Sequence, residues 1–353
     1  MNKNPIRVLV AEDSPVEREL LLHILQADPE IRVVSVAADG VQAVEAACRE
    51  RPDVVTMDVH MPNMDGLEAT RQIMETCPAP IVVVSASSGY SREGAKAFEA
   101  LEAGALALAR KPPGVGQPGY GAAVQELLQT LKLMSEVKVV RRWRRPGVAR
   151  PLAQPPKITP HAPIQLVAIG ASAGGPPALQ HILAALPKDF PVPLLIVQHM
   201  ASGFVEGFTG WLRDSTGFPV QVAVHGAQPL PGHVYVAPCG THLAVANSGL
   251  LRLADDPPEG GLRPAVSALF RSVAEACGER AVGVLLTGMG RDGAAELKQM
   301  KDSGAITIAQ DEETSVVFGM PGEAVRLGAA TYVLPLERIA AMLSSISGRE
   351  GAR

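Results

Sequence analysis

Four cysteines stand in 353 residues, and Cys48, Cys77, Cys239 and Cys277 lie far apart. No pair has metal-ligand spacing, so no cysteine-built metal site is expected, and a reduced, cytoplasmic protein is the simplest expectation. No apolar run approaches ~20 residues, the length of a membrane-crossing helix, so no insertion into a membrane is expected. The opening Met-Asn-Lys-Asn-Pro lacks the apolar core of a secretion signal. Neither sign of charge is in excess: 32 Lys and Arg against 36 Asp and Glu leave a net charge of −4. That balance gives no reason to expect nucleic acid or a membrane surface as the main partner. Internal repeats and low-complexity tracts are also missing. What remains is an ordinary globular composition, 47% hydrophobic and 19% charged, long enough for two domains with separate cores.

Apolar runs alternate with amphipathic stretches in both halves. Residues 6–11, 32–37, 53–57, 80–85 and 106–110 read as short strands, with helical patterns such as Pro15–Ala27 and Gly40–Arg51 between them. Five β/α units in this stretch predict a doubly wound parallel sheet, closed by a helix over Ala122–Lys138. Residues 141–163 then change character, from Arg-Arg-Trp-Arg-Arg-Pro to a run holding Pro151, Pro155, Pro156, Pro160 and Pro163. Proline at that density removes amide donors and blocks helix, so this is a linker. Its basic cluster is read as a solvated connector, with a docking patch for an acidic surface as the alternative.

A second β/α series begins at Ile164. Strands are predicted at Gln165–Ile169, Pro193–Gln198, Gln221–Val224, His233–Ala237, Leu250–Leu253, Ala281–Leu286 and Ala305–Ala309, with Thr331–Leu334 as an edge. The fold class is therefore α/β, with two doubly wound domains. The N-terminal sheet is five-stranded and parallel; the C-terminal one is mostly parallel, with a small antiparallel insert around residues 221–253. Domain bounds of 1–125 and 164–353 are expected, with a linker helix and the Pro/Arg-rich linker over 126–163.

Polar residues collect at the predicted carboxyl ends of the first five strands. Glu12 and Asp13 end the first, Asp58 the third, Ser85 the fourth and Lys111 the fifth. Carboxyl ends of parallel strands meet at one crevice. Carboxylates packed there repel unless a divalent cation sits among them, and Mg²⁺ suits hard oxygen ligands. Lys111 and Ser85 can bind phosphoryl oxygens, and an aspartate so held is a plausible phosphoryl acceptor. With Met-Pro-Asn-Met-Asp-Gly after Asp58, the segment resembles the response-regulator receiver domain over residues 5–125. The resemblance implies Asp58 as the phosphorylated residue. It implies Glu12, Asp13, Asp58 and the carbonyl of His60 as Mg²⁺ ligands, and Ser85 with Lys111 as the switch. Ala105-Leu-Ala-Leu-Ala-Arg-Lys111 departs from that pattern, since no aromatic precedes the lysine.

In the second half, Leu166-Val-Ala-Ile-Gly-Ala-Ser-Ala-Gly-Gly lifts Ser172 to a strand end beside a helix start, matching Gly-x-Ser-x-Gly. The flanking glycines fit a strained, crowded nucleophile turn. His199 ends the next strand, and Asp292 follows a later one in Leu286-Thr-Gly-Met-Gly-Arg-Asp-Gly293. A serine hydroxyl needs an imidazole to take its proton, and the imidazole needs a carboxylate to fix its tautomer. Backbone amides must meet the oxyanion, each worth about 3–4 kcal/mol. The turns Ala173–Gly175 and Gly288–Gly290 supply candidates. The chain order Ser, His, Asp argues against the α/β-hydrolases, whose order is Ser, acid, His. A phosphate-cradling loop at Ser172 and an isolated strand-end role for His199 are the competing readings. His242 is a further candidate to line the cleft.

Together with Gln-His-Met200 and Ala309-Gln-Asp-Glu through Val-Val-Phe-Gly-Met-Pro321, these residues resemble the chemotaxis protein-glutamate methylesterase (CheB) family over residues 164–346. The resemblance implies Ser172 as nucleophile, His199 as base, Asp292 as orienting acid and the Met289 amide in the oxyanion site. It implies hydrolysis of glutamyl methyl esters on chemoreceptors, and often glutamine deamidation, without a cofactor for the ester step. A histidine kinase is implied as phosphodonor. A monomer is expected, with a receiver that blocks the cleft until Asp58 is phosphorylated. Two departures stand out: Ala173 where relatives often carry threonine, and Ser267 where they often place aspartate nearby. A receiver-linked transcription factor and a catalytically silent receptor scaffold are the alternatives from other classes. The first lacks a helix-turn-helix tail and a basic face here.

Overall fold

A computed structural model describes residues 4–85, 92–137, 139 and 162–347. The chain divides into two compact units, Met1–Gly147 and Val148–Arg353. The Arg/Pro-rich linker and its basic cluster lie outside the described residues.

In the first unit, β1 (Ile6–Ala11), β2 (Ile31–Ala37), β3 (Val54–Met57), β4 (Ile81–Ser85) and β5 (Ala107–Arg110) form one sheet in the order β2-β1-β3-β4-β5. All its pairings are parallel. The strands read as continuous apolar runs because helices cover both faces of such a sheet. The helices between them are α1 (Pro15–Gln26), α2 (Gly40–Glu50), α3 (Gly66–Thr76), α4 (Arg92–Glu102) and α5 (Tyr120–Ser135). Three start on side-chain caps: Ser14 accepts from the Glu17 amide, Asp39 from Gln42 and Asp65 from Glu68. Each cap satisfies an amide that the helix cannot, worth about 1 kcal/mol. Strand order reverses between β1 and β3, so a crevice opens at their carboxyl ends.

One sequence expectation fails here. Cys48 and Cys77 form a disulfide that ties α2 to the end of α3, while Cys239 and Cys277 are free thiols. Spacing along the chain could not reveal this pair, because the packing of α2 against α3 brings it together.

The second unit holds a seven-stranded sheet, again parallel throughout. Its strands are β6 (Leu166–Ala171), β7 (Leu194–Gln198), β8 (Val220–Val222), β9 (Val234–Val236), β12 (Ala281–Leu285), β13 (Ile306–Gln310) and β14 (Tyr332–Leu334). Their order is β14-β13-β12-β6-β7-β9-β8, with β14 at the edge. The antiparallel insert is smaller than the sequence suggests: β10 (His242–Val245) pairs with β11 (Leu251–Ala254) alone. The segments near 221 and 234 belong to the main sheet instead. The sequence reading missed β10, whose short run takes its place from burial under a helix, α8 (Val266–Cys277). Val266, Leu269, Phe270 and Val273 of α8 are fully buried with Leu243, Leu297 and Met300. Each such side chain contributes roughly 1.5–3 kcal/mol by leaving water. The remaining helices are α6 (Gly175–Ala185), α7 (Val205–Thr216), α9 (Ala294–Asp302), α10 (Met320–Arg326) and α11 (Leu336–Ser347). The first strand, β6, lies between β7 and β12, so the order reverses beside the strand that ends in Ser172.

Candidate active site

Hydrogen bonding continues past the strand ends of the first unit and draws the polar residues together. Glu12 donates its amide to Ala37, Asp58 to Ala11 and Lys111 to Ser85. Glu12, Asp13 and Asp58 each offer a carboxylate oxygen, all within 4.8 Å of one another. Lys111 Nζ lies 2.9 Å from Glu12 and 3.2 Å from Asp58, and also bonds Glu17 of α1. Arg18 donates to the carbonyls of Glu12 and Asp13 and so fixes the turn that carries them. Glu17 and Arg18 lie on a helix face with no strand-end signature, which is why sequence reasoning passed over both.

Burial pushes Glu12 up to about 7, with the Asp58 charge adding to it and Lys111 opposing. Burial also raises Asp58, against the pull of Lys111. Burial works against the charge of Lys111, yet Glu17 and Glu12 outweigh it and hold the ammonium above its usual range. Three hard-oxygen donors this close, with burial resisting the ionisation of Glu12 and Asp58, fit a divalent cation. Ser85 is buried at the end of β4, and His60 is exposed two residues after Asp58.

In the second unit, Ser172 follows β6 directly. Its amide donates to Thr287 beyond β12, while the His199 amide donates to Ala171 from β7. The backbone ladder therefore sets Ser172 between the ends of its two neighbour strands. Gln198, which sequence reasoning missed, joins them further: its side-chain amide donates to the carbonyls of Ser172 (2.9 Å) and His199 (2.7 Å). Thr287, also missed, donates to the Ala173 carbonyl and accepts from the Val317 amide. Each has a backbone partner distant in sequence, Ser172 for Gln198 and Ala173 for Thr287, so no motif spacing signals them.

The turn differs from a strained nucleophile elbow. Among the described residues, only Arg51 and Asn63 are non-glycine with positive φ, so Ser172 sits in ordinary backbone space. The left-handed position is Gly174, at φ +74°, where α6 begins. Gly288 permits the close approach of β12's turn, since a Cβ there would lie 2.7 Å from the Ser172 Cβ.

His199 Nε2 meets Asp292 Oδ2 at 2.8 Å. The Asp292 carboxylate also accepts the amides of Val266 (2.6 Å) and Ser267 (3.0 Å), at the N-terminus of α8. Burial alone would raise this acid. His199, Ser267 and Val266 outweigh it and hold Asp292 below the usual carboxylate range. With Nε2 engaged, Nδ1 is the ring nitrogen left for a proton. Among the described residues, neither Nδ1 nor Ser172 Oγ has a hydrogen-bond partner, so the serine–histidine bond is not closed in this state. Catalytic hydrogen bonds often tighten only with substrate. The amides of Ala173 and Met289 likewise have no acceptor among the described residues. His242 is buried rather than cleft-lining. It accepts the Ala265 amide and bonds the Pro257 carbonyl, fixing the approach to α8.

Residues 167–343 match the family described as CheB methylesterase, and residues 8–116 match the response regulator receiver domain. The chain is 54% identical over 349 residues to a Nitrosospira multiformis protein named protein-glutamate methylesterase/protein-glutamine glutaminase, covering 98% of each. A Syntrophus aciditrophicus protein of the same designation is 55% identical, over 97% of this chain and 99% of that one. The solved catalytic domain of Thermotoga maritima CheB methylesterase is 38% identical with a TM-score of 0.50, covering 52% of this chain and 98% of that one. The chain thus belongs to the CheB methylesterase family, in the form that carries a receiver domain ahead of the esterase.

Proposed function

We propose that the chain hydrolyses γ-glutamyl methyl esters on chemoreceptors through Ser172, His199 and Asp292, and deamidates receptor glutamines at the same site. The observation that carries this reading is the His199–Asp292 pair one strand away from Ser172, with Gln198 bound to both neighbouring carbonyls. Ser172 Oγ attacks the ester carbonyl carbon while His199 Nδ1 takes its proton. Asp292 stabilises the imidazolium that forms. The amides of Met289 and Ala173 receive the oxyanion. Collapse of the intermediate expels methanol, which takes the proton from His199. Water, activated by the same imidazole, then releases glutamate from the acyl-serine. With glutamine, ammonia leaves in place of methanol.

The first unit controls this chemistry through Asp58. Its carboxylate oxygen accepts a phosphoryl group from a histidine kinase, and Lys111 and Ser85 take phosphoryl oxygens. Glu12, Asp13, Asp58 and the His60 carbonyl would hold a Mg²⁺ ion, which would supply charge neutralisation for the incoming phosphoryl group. Phosphorylation shifts the population toward an active form by its differential free energy between states. We take the chain to work in the cytoplasm as a monomer, with light scattering as the check. Domain bounds of 1–125 and 164–353, joined by 126–163, are those we propose to govern the coupling. The test of the chemistry is methanol release from a methylated receptor fragment. Ser172→Ala is expected to fall to the uncatalysed background, and full residual release would sink the nucleophile assignment.

A further inference from the structure

Asp292 is not held by α8 alone. The Ser267 side chain accepts the Gly293 amide at 3.0 Å, so it binds the residue directly after the acid. The same hydroxyl donates to Glu296 Oε2 of α9 at 2.7 Å, while the Ser267 amide donates to Asp292 Oδ1. Arg271, one turn further along α8, lies 3.6 Å from Glu296 Oε1. It also binds both oxygens of Glu259, at 3.0 and 2.7 Å. A single hydroxyl therefore joins three elements: the start of α8, the loop that carries Met289 and Asp292, and the first turn of α9.

The residue type at position 267 decides which of these bonds can form. An aspartate could not donate to Glu296; it would set a second carboxylate against it, close to Asp292. A neutral hydroxyl can accept from Gly293 and donate to Glu296 at once. Arg271 offsets part of the Glu296 charge through Oε1, while Ser267 takes Oε2.

We propose that Ser267 and Glu296 are positioning residues that hold the Asp292 loop against His199. The proposal rests on the triad reading above. Loss of the hydroxyl frees the Gly293 amide and Glu296 Oε2, and the loop gains freedom where the acid and the oxyanion amide are both mounted. Small misplacements of this kind lower turnover far more than substrate binding.

The test is steady-state methanol release by the full chain, with a small phosphodonor present. Ser267→Ala is expected to lower kcat about tenfold, or ~1.4 kcal/mol in the barrier, with KM within about twofold. Ser267→Thr keeps the hydroxyl and is expected to restore kcat to within about threefold of wild type. Wild-type kcat in Ser267→Ala, a loss confined to KM, or a threonine variant as slow as alanine would each overturn the proposal. If the alanine variant does not fold, Ser267→Asp is compared with Ser267→Asp plus Glu296→Gln. The second change should recover kcat, because an amide can donate to the new carboxylate; no recovery overturns the proposal. Ser172→Ala runs alongside: activity there would remove the triad reading itself, a result distinct from failure at Ser267.

Discussion

Asp292 gathers the hydrogen bonds of His199, Val266 and Ser267, and these outweigh a burial that disfavours its charge. A folded-state value below the ordinary 3.8 means that the unfolded chain binds protons first as pH falls. The stabilisation is therefore complete above about pH 4 and fades as pH drops through the lower folded value. Asp292→Asn is expected to melt below wild type at about pH 7, with the gap closing as pH is taken to about 2. A gap that is constant across that range in thermal melts would remove the linkage. The candidate roles of Ser172, His199 and Asp292 were read from place and residue type: Ser172 and His199 directly follow β6 and β7, and Asp292 lies on the loop after β12. Gln198 and Thr287 were not legible, since the carbonyls of Ser172 and Ala173 reach them only through the pairing of distant strands. His242 was misjudged for a related reason: its two backbone partners, Pro257 and Ala265, come from chain folded over it.

Helices and strands were legible to within a few residues where periodicity and caps agree, as at Pro15, preceded by Ser14, and Gly40, preceded by Asp39. The short strand β10 was lost because His242 and three apolar residues carry little periodic signal, and burial under α8 places them. The disulfide between α2 and α3 belongs to the same class of hidden information. It closes a loop of 29 residues, and the chain-entropy account gives it about 3–4 kcal/mol. Cys48→Ser in non-reducing buffer is expected to lower the denaturant midpoint of the first unit by a corresponding amount. Reductant should lower wild type in the same way and leave the variant unmoved. Equal midpoints for wild type and variant would show that the bridge adds nothing.

Across the whole chain, the two units carry distinct chemistry, phosphoryl acceptance in one and ester hydrolysis in the other. Coupling between them is expected to appear as stimulation of methanol release by a small phosphodonor, lost in Asp58→Asn. Equal stimulation in both proteins would remove Asp58 from the control. No helix among the described residues is long and apolar enough to cross a membrane.

The sequence by itself determined the class of each sheet, the order of the elements and the residues at the strand ends. Apolar runs, glycine turns and capping residues are local, and local signals survive in a linear text. Tertiary structure decided what touches what. Cys48 with Cys77, Gln198 with the Ser172 carbonyl, and Ser267 with Gly293 and Glu296 are contacts between segments far apart in the chain. Packing of helices onto a twisted sheet creates such contacts, and no spacing rule encodes them.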